Sequence, residues 1–288
     1  MGDTGERRKH LPGVPDVSED GGRKGFTGDA ACVAEFHNVT YTQNTKKESN
    51  YILKNFSLKL YPGKIAAVAS LRCIDFEPVI NLIFRSYEHP EYMLEKGSVL
   101  VNGENTSLLN RNKAQPYLKA FNIIAPAFGA GVKRSVVSDG MTVFEYVSQK
   151  HFLDYYEMDE LSKCLKIIGF YDIDALYESK YNSLTLSDKQ RLKIAQNLAF
   201  PQDIAVIVYP TMSLNGESKY FLQRLMTERL DSGTVKTFLL LSEDIEFIGD
   251  TADYIVVLEH GQVIISGTKD EVKNNSDNEF IQSMLVKI

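Results

Sequence analysis

Residues 184–211 read LTLSDKQRLKIAQNLAFPQDIAVIVYPT, and this stretch decides the fold. Ser187 and Gln190 have the S-x-x-Q spacing of a capping box, in which a hydroxyl and an amide satisfy backbone N–H groups that a helix start leaves open. The spacing predicts a helix from this point. Beyond Phe200-Pro201 comes the short apolar run 204–208, a strand. A helical pattern near 219–230 and a second apolar strand at 237–241 follow it, and strand, helix, strand is the unit of a parallel sheet.

Outward from this core the same texture continues. Towards the N-terminus, Phe56, Leu58 and Leu60 alternate with Ser57 and Lys59, the period of a half-buried strand. Tyr61-Pro62-Gly63 turns the chain into the run 65–69, whose continuous apolar character suits a strand covered on both faces. A helix is predicted at 79–84, and Val99 and Val101 lead into the tight-turn dipeptide Asn102-Gly103. Residues 127–200 are helical in spacing, with Val143, Tyr146, Val147, Leu161, Cys164, Leu165 and Ile168 on apolar faces, and read as an insertion. Towards the C-terminus, strands at 255–258 and 263–265 flank Glu259-His260-Gly261-Gln262, a hairpin. Residues 1–33 carry few bulky apolar side chains and are expected to be a flexible tail, and 273–288 a C-terminal helix or tail.

Composition narrows the function. The 288 residues are 43% hydrophobic and 24% charged, enough for a full core. Lys+Arg 32 against Asp+Glu 38 gives a net charge of −6, so no chain-wide basic surface is offered to nucleic acid. Cys32, Cys73 and Cys164 lie far apart without CxxC spacing, which points neither to a disulfide framework nor to zinc. The five histidines are scattered, and no metal site is expected. No apolar run approaches the roughly 18–20 residues of a membrane span, and neither a signal peptide nor a lipid-anchor motif is read at the start. The acidic group Asp154, Glu157, Asp159 and Glu160 reads as a solvated helix face.

The element order and three strings resemble the nucleotide-binding domain of ATP-binding cassette (ABC) transporters over about 34–272. The strings are FSLKLYPGK at 56–64, the stretch at 184–211, and LLLSEDIEFIGDTADYIVVLEHGQVIISGTKDEV at 239–272. The resemblance implies an α/β, P-loop NTPase-like sheet core with a helical insertion at about 127–200. It also implies that most of the chemical residues are replaced. The phosphate loop pattern GxxxxGK[ST] uses glycines for close backbone approach, a lysine for the β/γ-phosphates and a hydroxyl for magnesium. Here the loop runs through Ser70 and Cys73. Asp75 precedes the lysine position, which is Phe76, and Glu77 takes the hydroxyl position. A carboxylate about 4 Å from a phosphate charge costs roughly 4 kcal/mol at an effective dielectric of 20, so the site reads as inverted. An alternative role for Asp75 is to cap the following helix in place of an external anion, with Pro78 in its first turn.

The remaining positions follow suit. The family's magnesium-supporting carboxylate falls on Val208, its water-activating glutamate on Tyr209, its γ-phosphate-sensing glutamine on Pro126, its switch histidine on Glu243, and the aspartate after the catalytic strand on Asn215. The stacking aromatic falls near Gln43, with Tyr41 close by. The signature loop LSGGQ aligns with Leu184, Thr185, Leu186, Ser187 and Asp188: Thr185 keeps a hydroxyl, whereas Leu186 and Asp188 oppose phosphate binding. The resemblance thus implies an ABC-type subunit without the usual ATP chemistry and with no cofactor. It would pair as a dimer with another ABC ATPase subunit or with membrane permease subunits, in the cytoplasm at the inner face of a membrane, with residues 126–147 as the docking segment. Two alternatives stay open. One is a divergent ATPase using Glu243 or Asp244 as base, with ATP and Mg as its ligands. The other is a soluble scaffold or regulatory module that reuses the fold.

Overall fold

The computed structural model describes residues 31–44, 49–70, 72, 75–84, 92–126, 138, 140–150 and 154–274. In chain order the elements are β1 (Ala34–Asn44), β2 (Ser49–Leu60), β3 (Ile65–Ala69), α1 (Phe76–Phe84), β4 (Tyr92–Val101), β5 (Glu104–Asn105), α2 (Arg111–Leu118) and β6 (Phe121–Ile124). Four helices follow: α3 (Val143–Lys150), α4 (Tyr155–Ile167), α5 (Ile173–Glu178) and α6 (Leu186–Leu198). The chain then alternates again through β7 (Gln202–Val208), α7 (Gly216–Asp231), β8 (Val235–Ser242), α8 (Ile245–Thr251), β9 (Tyr254–Glu259), β10 (Gln262–Gly267) and α9 (Lys269–Asn274).

The strands form a mixed sheet in the order β5-β4-β1-β2-β10-β9-β3-β8-β7-β6. One half, β9-β3-β8-β7-β6, is parallel throughout. The other half, β5-β4-β1-β2, is antiparallel. They meet at β10, which is antiparallel to β9 and joins β2 through the single pair Gln262–Lys54. At that joint the backbone of Lys54 donates to the Gly261 carbonyl. A Cβ on Gly261 would stand 2.1 Å from the Ile52 carbonyl oxygen, at a φ of +73°, so only glycine allows the two backbones to meet.

Alternate residues of the parallel strands feed two cores, as the period of a strand dictates. Ile65, Ala67 and Ala69 of β3, Ala205 and Ile207 of β7, and Phe238 and Leu240 of β8 share one core with residues of α4, α6 and α7. Ala66 and Val68, Ile204, Val206 and Val208, and Leu239 and Leu241 share the other with α1 and the antiparallel strands. All five residues of β3 are buried, as a strand covered on both faces requires.

The helical insertion carries the buried stripe expected of it: Val143, Tyr146, Val147, Leu161, Cys164, Leu165 and Ile168 are all core residues. The hairpin at 259–262 is formed by β9 and β10, with His260 at φ +53° and Gly261 at φ +73°. The ordered chain reaches further back than composition suggested. Val33, assigned to the tail, is buried, donates to the Leu60 carbonyl and accepts from Asn102. Residues 1–30 and 275–288 lie outside the described residues.

Candidate functional site

The parallel strands β3, β7 and β8 end side by side, and Ser70, Asp75, Phe76, Glu77, Val208, Tyr209 and Glu243 lie at or just after their ends, whereas Thr185, Ser187 and Asp188 lie at the start of α6. Ser70 and Asp75 are both buried. The Ser70 hydroxyl donates to the Asp75 carboxylate at 2.6 Å and accepts from the backbone N–H of Arg72 at 3.1 Å. The Asp75 N–H donates to the Arg72 carbonyl, so the turn is closed by its own side chains. The sequence assigns Asp75 to the cap of α1; in the structure the bond its carboxylate makes is to the Ser70 hydroxyl, immediately before α1 begins at Phe76. Glu77 is exposed in the first turn, with Pro78 beside it, where a carboxylate suits the positive end of the helix and a missing N–H costs little. Cys73 lies outside the described residues. Arg72 is exposed and its guanidinium meets the His260 ring of the β9–β10 turn.

Phe76 is 1% exposed. Its ring packs edge-to-face on Tyr209, with centroids 5.6 Å apart and planes at 62°. Tyr209 follows the buried Val208 at the end of β7 and has φ +52°, a left-handed conformation that bulky residues rarely adopt. Its N–H donates to the Leu241 carbonyl at 2.8 Å and its carbonyl accepts from Met212, so backbone bonds on both sides hold it there. Two aromatic rings therefore close the space between the start of α1 and the end of β7.

Beyond β8, Glu243 is exposed. Asp244 caps α8 by accepting from Phe247 and pairs with Lys219 of α7 at 2.5 Å. Burial pushes the Asp244 carboxyl up, but the Lys219 ammonium, the Phe247 N–H and the Thr211 hydroxyl hold it on balance below the ordinary aspartate value. Asn215 caps α7, its side chain accepting from Ser218 at 2.8 Å.

At the start of α6 the structure corrects the sequence reading. The cap is Thr185, not Ser187: the Thr185 hydroxyl accepts from the backbone of Asp188 at 3.1 Å and donates to its carboxylate at 2.7 Å. Gln190, assigned as the reciprocal partner of Ser187, is instead fully buried in the helix interior. The helix begins two residues earlier than the S-x-x-Q spacing implies, and Asp188 in its first turn also bonds Arg191 one turn on, at 2.5 Å. Burial raises the Asp188 carboxyl, and Thr185 and Arg191 bring it below the ordinary value. Leu186 is 52% exposed at the helix start.

No protein-family model matches the chain. A putative export ATP-binding/permease protein of Rickettsia conorii is 22% identical over 251 residues, covering 84% of this chain and 40% of the relative. The chain thus spans about two fifths of that relative's length. The histidine/lysine/arginine/ornithine transport ATP-binding protein HisP of Salmonella typhimurium is 23% identical, covering 81% of this chain and 90% of that one. Among solved structures, a dimeric ATP-binding cassette in a post-hydrolysis state, bound to ADP and Pi, superposes with a TM-score of 0.62 at 19% identity, over 82% of this chain and 98% of that one. A bacterial Atm1-family ABC exporter with ATP bound superposes at 0.65 and 19% identity, over 90% of this chain and 43% of that one. The fold is that of the ABC-transporter ATP-binding cassette.

Within this cassette fold the other assigned positions have local explanations. Pro126, after β6, accepts from the ammonium of Lys193 on α6 at 2.9 Å. Tyr41 is buried and stacked on Tyr92 at 5.8 Å, and Gln43 donates to the Tyr92 hydroxyl. Asp154 and Glu157 form the capping box of α4, and Asp159 and Glu160 pair with Lys163. Among the described residues no cluster of three metal-ligating side chains exists, and no helix is long and apolar enough to cross a membrane. Sequence reasoning missed Arg191, Lys193 and Lys219, which organise three of these turns. Their only signal was helical position, which does not say which loop a long side chain reaches.

Proposed function

We propose that this chain is an ABC-type subunit of a transport complex that does not bind or hydrolyse ATP in the usual way and acts there as a structural or regulatory partner. The observation that carries the reading is the buried Phe76 ring packed on Tyr209. On the proposed alignment these two residues occupy the positions of the phosphate-binding lysine and the water-activating glutamate. The ring cannot donate to a phosphate, and neither ring is a general base at neutral pH. The neighbouring positions agree: Ser70 and Asp75 are engaged with each other, Glu77 adds negative charge, and Val208 is an apolar core residue. Cys73 falls in the same loop. At the signature-like turn, Thr185 and Asp188 bond each other and Ser187 stands between them.

The transport context rests on the relatives, whose names describe export and amino-acid transport ATP-binding proteins, and on the dimeric cassette among the superposed structures. We infer from these likenesses that the partners are another ABC ATPase subunit, membrane permease subunits, or both, in a dimer on the inner face of a membrane. No cofactor is assigned. The rival reading, a divergent ATPase using Glu243 or Asp244 as base, is favoured by the ATP-binding names of those relatives; of the two, Asp244 is held by Lys219, Thr211 and the α8 backbone, and Glu243 is exposed. The test is Mg-ATP binding to the full chain and to Phe76→Lys, by calorimetry and thermal shift. Neither protein is expected to bind. Saturable micromolar binding by the unmodified chain would make the divergent ATPase the better reading.

A further inference from the structure

The geometry points to Asn102-Gly103 as a site of spontaneous covalent modification, where the Asn102 amide is lost and an aspartyl or isoaspartyl carboxylate replaces it. The pair makes the turn between β4 and β5, flanked by the paired residues Val101 and Glu104. Asn102 stands at φ +50° and Gly103 at φ +81°, the left-handed pair that Asn-Gly favours in a tight hairpin. Both residues are exposed, and a Cβ on Gly103 would meet nothing within 4 Å, so the glycine side of the turn is open to solvent.

The reaction needs only water and hydroxide. Hydroxide takes the proton of the Gly103 backbone nitrogen, which attacks Cγ of Asn102. A new N–C bond closes a cyclic imide, and the side-chain nitrogen leaves as ammonia, taking its last proton from water and restoring the hydroxide. Water then adds to one of the two imide carbonyl carbons and breaks its bond to the Gly103 nitrogen. Opening at Cγ gives aspartate. Opening at the backbone carbonyl carbon gives isoaspartate, in which the main chain runs through the former side chain and gains a methylene. Glycine favours the first step because no side chain stands beside the attacking nitrogen.

The chain has a second Asn-Gly pair, and the structure separates the two. The Asn215 side chain accepts from the Ser218 N–H at 2.8 Å, and Gly216 is the first residue of the 16-residue helix α7. Closing an imide there means giving up the cap and unwinding the helix start. Asn105 and Asn110 are held in the same way, by the N–H groups of Ser107 and Lys113. Among the described residues the Asn102 amide has no such partner. Its turn must leave the left-handed conformation to react, but β5 is paired only through Leu100–Asn105 and Val101–Glu104, and so short a hairpin opens locally far more readily than the fold unfolds. The product also has a structural reach. The Asn102 N–H donates to the Val33 carbonyl at 2.9 Å, and the Val33 N–H donates to the Leu60 carbonyl at 2.7 Å. An extra methylene in the main chain at Asn102 displaces that tie at the start of β1, and the new carboxylate adds negative charge beside the exposed Glu104. The inference stands whether or not the chain binds nucleotide.

The experiment is to age the full chain in mildly alkaline buffer, folded and in urea, and to follow the peptides carrying Asn102 and Asn215 by mass spectrometry. Isoaspartate is read with an isoaspartyl carboxyl methyltransferase and a labelled methyl donor. In the folded chain Asn102 is expected to show the mass gain of an amide-to-acid change and the methyl label, with Asn215 unchanged; in urea both are expected to react. Gly103→Ala is expected to lose the signal in the folded chain, and where that variant does not fold, the urea arm makes the comparison without a substitution. In the aged protein, hydrogen exchange at residues 31–36 is expected to rise by up to about tenfold, the effect of losing one backbone hydrogen bond. Reaction of Asn102 only in urea, or equal reaction of Asn102 and Asn215 in the folded chain, would overturn the assignment. Unchanged exchange at residues 31–36 of the aged protein would overturn the link to β1.

Discussion

Replacing Phe76 tests whether its buried ring is needed for packing or only occupies the position that the proposed alignment gives to a lysine. The ring is 1% exposed and shares a core with Val79, Leu82 and Ile83 of its own helix, Val208 of β7 and Leu241 of β8. Truncating a fully buried phenylalanine to alanine costs about 3–5 kcal/mol, of which the edge-to-face contact with Tyr209 accounts for about 0.5–1.5 kcal/mol. At about 2–4 °C per kcal/mol for a chain of this size, Phe76→Ala is expected to lower Tm by about 10 °C. Phe76→Leu, which keeps most of the volume, is expected to lose less than half as much.

Phe76→Lys carries the decisive arm. A lysine there places an ammonium in the apolar core beside Asp75, so on this reading it destabilises at least as much as alanine and Mg-ATP does not help. If the loop were a phosphate site lacking only its lysine, the variant would bind Mg-ATP. At a ligand concentration of about 100 Kd, binding would stabilise the fold by about 2.7 kcal/mol, or several degrees of Tm. Urea unfolding measures the cost of each substitution, and thermal shift with and without Mg-ATP measures rescue. A loss below about 1 kcal/mol for Phe76→Ala, or a saturable rise in Tm of Phe76→Lys with Mg-ATP, would refute the sealed-site argument.

Three further expectations follow from named contacts. Thr185→Ala removes the cap of α6 and is expected to cost about 1 kcal/mol in urea unfolding, with Ser187→Ala near neutral; the reverse order would restore Ser187 as the cap. Because Asp188 and Asp244 sit below the ordinary aspartate value in the folded protein, their contribution is present above about pH 4 and is lost as pH falls through the folded values. Arg191→Met is accordingly expected to flatten the acid limb of stability against pH, and an unchanged limb would remove Asp188 from the account. Burial pushes the Cys164 thiol up to about 12, so thiol reagents at pH 8 are expected to label Cys164 only after denaturation, and rapid native labelling would contradict the packing of α4.

The fold was legible because it is written in strand texture. The runs 65–69, 204–208 and 237–241 are apolar at every or nearly every position, and a strand of that kind is stable only inside a covered parallel sheet. The tight turns Asn102-Gly103 and His260-Gly261 were equally plain, since few residues other than glycine and asparagine tolerate their positive φ. The start of α6 was not legible. S-x-x-Q and T-x-x-D compete there within two residues. Asp188 bonds the Thr185 hydroxyl and, one turn on in the same helix, Arg191, whereas Gln190 of the other pattern is fully buried in the tertiary packing, which a local spacing rule does not see.

The same distinction governs the site. That Phe76 and Asp75 occupy the loop after β3 was readable from the chain, but their partners were not. Tyr209 lies far along the sequence and reaches Phe76 only because β3 and β7 flank β8 in the sheet. Its left-handed backbone makes the contact costly to hold, by about 1–2 kcal/mol relative to a relaxed conformation, so the aromatic pair must return more than that. A direct consequence is that Tyr209→Gly, which loses the ring but not the conformation, should be more stable than Tyr209→Ala by about 1 kcal/mol. Equal stabilities would mean that the backbone relaxes once the ring is gone. The conformation would then be a product of Phe76 packing rather than a feature of the β7 terminus, and the seal would rest on α1 alone.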